Sequence, residues 1–114
     1  MPKALATDGT NVYYAGTSPA DVTIGAVSTS GGDPHTLYAA ACDVDAGTPC
    51  AGDLATDGAF VYFTTATDVR RVPVNGGDAT TLADGQARPF AVAVDDACVY
   101  WSNLGDGTSW AAPR

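Results

Sequence analysis

The chain has 114 residues and carries 5 Lys and Arg against 13 Asp and Glu, a formal net charge of −8. With 46% hydrophobic and only 16% charged residues it is too apolar for a disordered acidic tail, and its length sets one small domain. Its few scattered cations cannot neutralise a run of phosphates or coat an anionic bilayer, which excludes nucleic acid and a membrane surface as partners.

Every acidic residue is Asp, there is one Lys and one Gln, and Gly and Pro abound, so strong helix formers other than Ala are nearly absent. Asp, Asn and Gly favour turns, while Val, Thr and Tyr fit a pleated surface, so the class is all-β. No apolar run approaches the roughly 18 residues that cross a bilayer, and the opening MPKALATDG has no apolar signal-peptide core, so neither membrane insertion nor an export signal is read.

In chain order, the first element is the phrase ALATDGTNVYY at 4–14, and it recurs as DLATDGAFVYF at 53–63 and AVAVDDACVYW at 91–101. Each copy is a small-residue strand, a tight Asp-Gly or Asp-Asp turn, and a Val-Tyr strand, the pattern of a β-hairpin. After the first copy, TIGAVSTSGGDPHTLYA at 23–39 aligns with DVRRVPVNGGDATTLAD at 68–84, a second hairpin turning at Gly31-Gly32-Asp33 and Gly76-Gly77-Asp78. A full unit is therefore four antiparallel strands, the arithmetic of β-propeller blades. Blade one spans 2–39, a loop 40–51, blade two 52–84, and an incomplete blade three 89–114, in all about 2.7 blades. Trp110 to Pro113 aligns with Arg70 to Pro73, so blade three lacks its fourth strand.

Val-Tyr-Trp-Ser-Asn at 99–103, preceded by Ala-Val-Ala-Val-Asp-Asp at 91–96, resembles the strands of YWTD-type propeller blades, with NHL-type propellers as relatives. That resemblance implies a six-bladed ring and no particular activity, since such folds host many. Leu5, Leu54 and Val92 alternate with small residues on the innermost strands, and Tyr14, Phe63 and Trp101 read as inter-blade core. An open arc leaves two apolar sheet faces bare, which calls either for further blades of a longer polypeptide or for a second copy of the chain, a homodimer closing a twofold ring.

Candidate chemistry is sparse. Cys42 and Cys50 bracket the insertion CDVDAGTPC and are expected to form a disulfide, worth about 2 kcal/mol for so short a loop, which places the protein in an extracellular or periplasmic compartment. Cys98 is expected to be a buried or half-buried free thiol, not a nucleophile. Three Cys and the single His35 show no zinc spacing, and Asp43-Val-Asp45-Ala-Gly47 lacks the third carboxylate and terminal Glu of a calcium loop, so no metal and no cofactor is expected. No nucleophile motif or phosphate-cradling glycine loop is present, His35 occupies the place of Thr80 in a solvent-facing strand, and Asp8, Asp57 and Asp95 read as turn formers, so no catalytic residue is assigned. In propellers of the kind resembled, the loops joining second to third strands and each blade to the next form the binding face. Here that places Asp21, Asp43, Asp45, Asp68, Arg88 and Asp106 on one mostly negative surface. The leading expectation is a non-enzymatic binding module for an extracellular protein, glycan or cation. The alternatives are a structural or engineered repeat unit that self-assembles into a ring, and part of an NHL-like lyase or hydrolase.

Overall fold

The computed structural model describes residues 2–17, 21–41, 53–65 and 68–113. These form eleven strands: β1 (Pro2–Thr7), β2 (Asn11–Thr17), β3 (Asp21–Ser28), β4 (His35–Ala41), β5 (Leu54–Thr56), β6 (Phe60–Thr64), β7 (Val69–Pro73), β8 (Thr80–Ala83), β9 (Pro89–Val94), β10 (Cys98–Asn103) and β11 (Ser109–Pro113). They make three separate antiparallel sheets of sequential strands, β1 to β4, β5 to β8, and β9 to β11. The protein is all-β, with sheets in the form of propeller blades. Each blade adjoins the next through its innermost strand, β1 beside β5 and β5 beside β9.

A repeated side-chain clamp closes the first turn of every blade. Asp8 Oδ1 accepts the backbone N–H groups of Thr10 and Asn11 at 2.9 Å each, while its Oδ2 accepts the Tyr13 hydroxyl at 2.9 Å. Asp57 holds Ala59, Phe60 and Tyr62 in the same way, and Asp95 holds Ala97, Cys98 and Tyr100. The recurrent Asp and Tyr, five residues apart, are thus two ends of one bond, and the turn-former reading of these aspartates holds. The second hairpin turns on glycine pairs whose φ values, 96° and 120° at Gly31 and Gly32 and 88° and 132° at Gly76 and Gly77, are closed to most side chains. Both turns close through the first glycine's N–H, onto Ser28 and Pro73 carbonyls. His35 starts β4 at this same edge and is exposed.

Alternation along the strands divides every sheet into two faces. One face of the first blade, carrying Tyr13, Ala15, Ile24, Ala26 and Leu37, packs on Leu54, Val61, Phe63 and Val72 of the second. The opposite face of the second blade presents Tyr62 and Val69 to Val92, Val99 and Trp101 of the third. Phe63 and Trp101 are buried as expected of inter-blade core, and Phe63 sits 5.0 Å from the Tyr38 ring across the first interface. Equivalent residues at the arc's ends lack such neighbours: Leu5 is 68% exposed, Tyr100 42%, and Tyr14 is half-buried.

Candidate functional site

The clamps occupy one edge of the blades, so the connections β2–β3, β6–β7, β10–β11, β4–β5 and β8–β9 all emerge at the other. Among the described residues of that opposite edge, the 84–88 and 103–108 segments come together. Leu104 N–H donates to the Arg88 carbonyl at 2.9 Å and Gly105 N–H to the Ala87 carbonyl at 2.8 Å, which buckles the 84–88 connection onto the 103–108 loop. The approach is close enough that a Cβ on Gly105 would lie 2.9 Å from the Ala87 oxygen. Arg88 is exposed and has φ of 57°, the left-handed region where a side chain is rare, and its own N–H donates to the Gln86 carbonyl at 3.1 Å.

Beneath this corner lies a polar network. Gln86 Oε1 accepts from Trp101 Nε1 at 3.1 Å and from Asn103 Nδ2 at 2.9 Å. Asn103 is 3% exposed and also donates to the Thr108 hydroxyl, which accepts from Trp110 Nε1 and donates to Asp106 Oδ1. That hydroxyl bond, at 2.6 Å, and the Thr108 N–H hold the Asp106 carboxyl below its usual range. Asp106 therefore stays ionised beside the segment that displays Arg88, and the corner offers charges of both signs on a braced backbone.

The neighbouring loop behaves differently. Asp68 Oδ2 takes both Nη2 and Nε of Arg70, at 2.6 and 3.2 Å, and Arg70 Nη1 reaches the Tyr38 hydroxyl of the first blade at 3.0 Å. This pairing, led by the Asp68 hydrogen bond, raises the Arg70 pKa. Sequence reasoning counted Asp68 as surface charge; in the fold its side chain is 14% exposed and neutralised by an arginine from the adjoining strand. Asp21 begins β3 at this same edge. Asp43 and Asp45, with the Cys42–Cys50 pair, lie outside the described residues. The structure thus joins the segments bearing Arg88 and Asp106 and turns Asp68 inward to an inter-blade link.

Sequence reasoning missed Gln86, Asn103 and Thr108. A signal existed: Asn103 stands where the other copies have Gly16 and Thr65, and Gln86 is the sole glutamine. It also missed Asp53, whose Oδ2 accepts the Val92 N–H of the next blade at 3.3 Å. Among the described residues no group of three His, Cys, Asp or Glu is placed to hold a metal. Cys98, at the start of β10, is a half-buried free thiol.

Such blades, stacked face to face about their innermost strands, define a β-propeller architecture. Among solved structures the chain is similar to one in the crystal structure of a nidogen/laminin complex, with a TM-score of 0.79 and 20% identity over 98% of this chain. The match covers 44% of that chain, so the present sequence spans less than half of its length. No family model matches, and no curated protein does.

Proposed function

We propose that this chain is a non-enzymatic propeller module that binds an extracellular protein or glycan through the loop edge of its blades, with the 84–88 and 103–108 corner as its centre. The observation that supports this is the contrast between the two edges. Asp-Tyr clamps at one edge are the same in all three blades, whereas the other edge carries loops of different length and chemistry, with Arg88 displayed from a strained backbone braced by Gln86, Asn103 and Thr108. A strained, exposed residue over a hydrogen-bonded base in which the buried Asn103 Oδ1 has no partner suits recognition more than stability. The similar chain was solved in a nidogen/laminin complex, which is consistent with a protein ligand. An oxidised Cys42–Cys50 loop and an extracellular or periplasmic setting belong to the same reading. Asp21, Asp43 and Asp45 remain further members of the proposed face, while Asp68 is taken up by Arg70.

The test is binding of the labelled chain to a glycan array and to a panel of matrix proteins that includes laminin. Arg88→Ala and Asp106→Asn should each weaken the strongest hit at least tenfold, while Asp33→Ala at the opposite edge should not. Binding unaffected by the loop substitutions, or absent for every probe, would refute the proposal.

A further inference from the structure

Blades two and three each offer the same kind of face to the blade before them. Leu54 and Phe63, cross-strand neighbours, pack beneath Tyr13, and Val92 and Trp101, neighbours in the same register, pack beneath Tyr62. At the start of the arc, Leu5 and Tyr14 are cross-strand neighbours in that register, Leu5 68% exposed and Tyr14 half-buried, with no described blade against them. At the other end, Tyr100 lies opposite Ala93 and Ala111 on the bare face of blade three, where a shallow depression of about 500 Å³ runs between Ala91, Ala93, Tyr100 and Ser109. The bare face is therefore the seat, and Leu5 with Tyr14 the filling that the repeat prescribes for it.

We infer that blade three of one copy receives blade one of a second copy, Leu5 and Tyr14 of the partner covering Tyr100, and that the same contact formed in the other direction closes a twofold ring of six blades. The occupant continues two interfaces already present in the chain. Residue classes also agree, since an aliphatic and an aromatic residue beneath a tyrosine is the pairing seen twice within the arc. Twice the 44% share of the similar chain is most of it, so two copies supply close to one such chain's length.

Size requires that both contacts form together. Three strands about 4.8 Å apart and about six residues long present roughly 300 Å² per face, so one contact buries about 600 Å² and the closed pair about 1,200 Å², the lower end for a stable association. The contact is head-to-tail, because the two surfaces differ, and closure at two copies separates it from an open filament. The inference stands on the blade architecture alone and not on the proposed loop-binding role.

Light scattering on the eluting chain at tens of micromolar should give twice its 11.5 kDa mass. Leu5→Asp and Tyr100→Asp should each return it to a single chain mass, while circular dichroism on the same samples reads the β fold separately. Mixing the two variants should leave single chains, because a mixed ring keeps one intact contact of about 600 Å² and concentrates both substitutions in the other. A folded wild-type chain that stays at 11.5 kDa would overturn the inference. Growth beyond two copies, or a Leu5→Asp variant that remains paired, would overturn it as well.

Discussion

Tyr62→Phe removes one oxygen from the clamp of the second blade. The Tyr62 hydroxyl donates to Asp57 Oδ2 at 2.8 Å, and the ring is fully buried among Val69, Val92, Val99 and Trp101. Phenylalanine preserves that packing, so the loss is the hydrogen bond to a carboxylate, about 1.5–3 kcal/mol in general. Asp57 is half-buried and keeps its two backbone donors, Ala59 and Phe60, which points to the lower half of that range, about 2 kcal/mol. Tyr62→Ala deletes the ring as well and should cost about 3–5 kcal/mol. Equilibrium urea unfolding is the assay, in which Tyr62→Phe should lower the midpoint by about 1 M at an unchanged slope. Tyr13→Phe, with the same bond to Asp8 at 2.9 Å and equal burial, should reproduce the loss. A Tyr62→Phe midpoint within experimental error of wild type would refute the claim that the clamp, and not the ring alone, holds the hairpin.

Gly25→Ala should destabilise the first blade by about 1–3 kcal/mol, since a Cβ there would collide with the Tyr14 ring lying across it, and Tyr14→Ala in the same chain should recover most of the loss in thermal melts. Arg70→Ala breaks the link from Asp68 to Tyr38; with the side chain 32% exposed the cost should be about 0.5–1 kcal/mol, and a denaturation series should show it shrinking in high salt. The pH profile should be flat through neutrality and fall at both extremes. Backbone donation from Asn11 leads the lowering of Asp8 below 3.8, so its contribution is present above that value and is lost as the pH falls through the lowered one. Burial, then the Asp8 bond, raises Tyr13, and the Asp95 bond pushes Tyr100 up to about 12, so their contributions are complete below 10.0 and lost as the pH climbs through the raised values. Absorbance at high pH should show Tyr100 ionising near 12, and its titration at 10.0 would contradict the Asp95 bond. Peptide mapping without reductant should find Cys42 joined to Cys50 and Cys98 alkylated slowly, and three freely reacting thiols in protein made in an oxidising compartment would remove the case for an extracellular setting.

Much of the fold was legible because a blade is built from local order. The clamp needs only an Asp and a Tyr five residues apart, so ALATDGTNVYY states its own turn, and the Gly31-Gly32 and Gly76-Gly77 pairs state the next. Period-two alternation then assigns Phe63 and Trp101 to inter-blade packing before any neighbour is known. The candidate site was less legible, since its members act across sequence distance. Asp68 looked like a surface charge although Arg70 stands two residues on, because the guanidinium is fixed only when its other end reaches Tyr38 of another blade.

By itself the sequence determined the all-β class, the four-strand unit, the phase of the repeats and the side on which each aromatic would lie, all consequences of strand periodicity and turn chemistry acting within some forty residues. Tertiary structure alone decided which faces were covered, because burial depends on a second sheet arriving: Tyr13 and Tyr62 are enclosed, while Tyr100, identical in motif, stands 42% exposed for want of a neighbour. It alone also decided that Gln86 would bridge Trp101 and Asn103, since a hydrogen bond between residues 15 and 17 positions apart is set by how two loops meet and not by any local pattern.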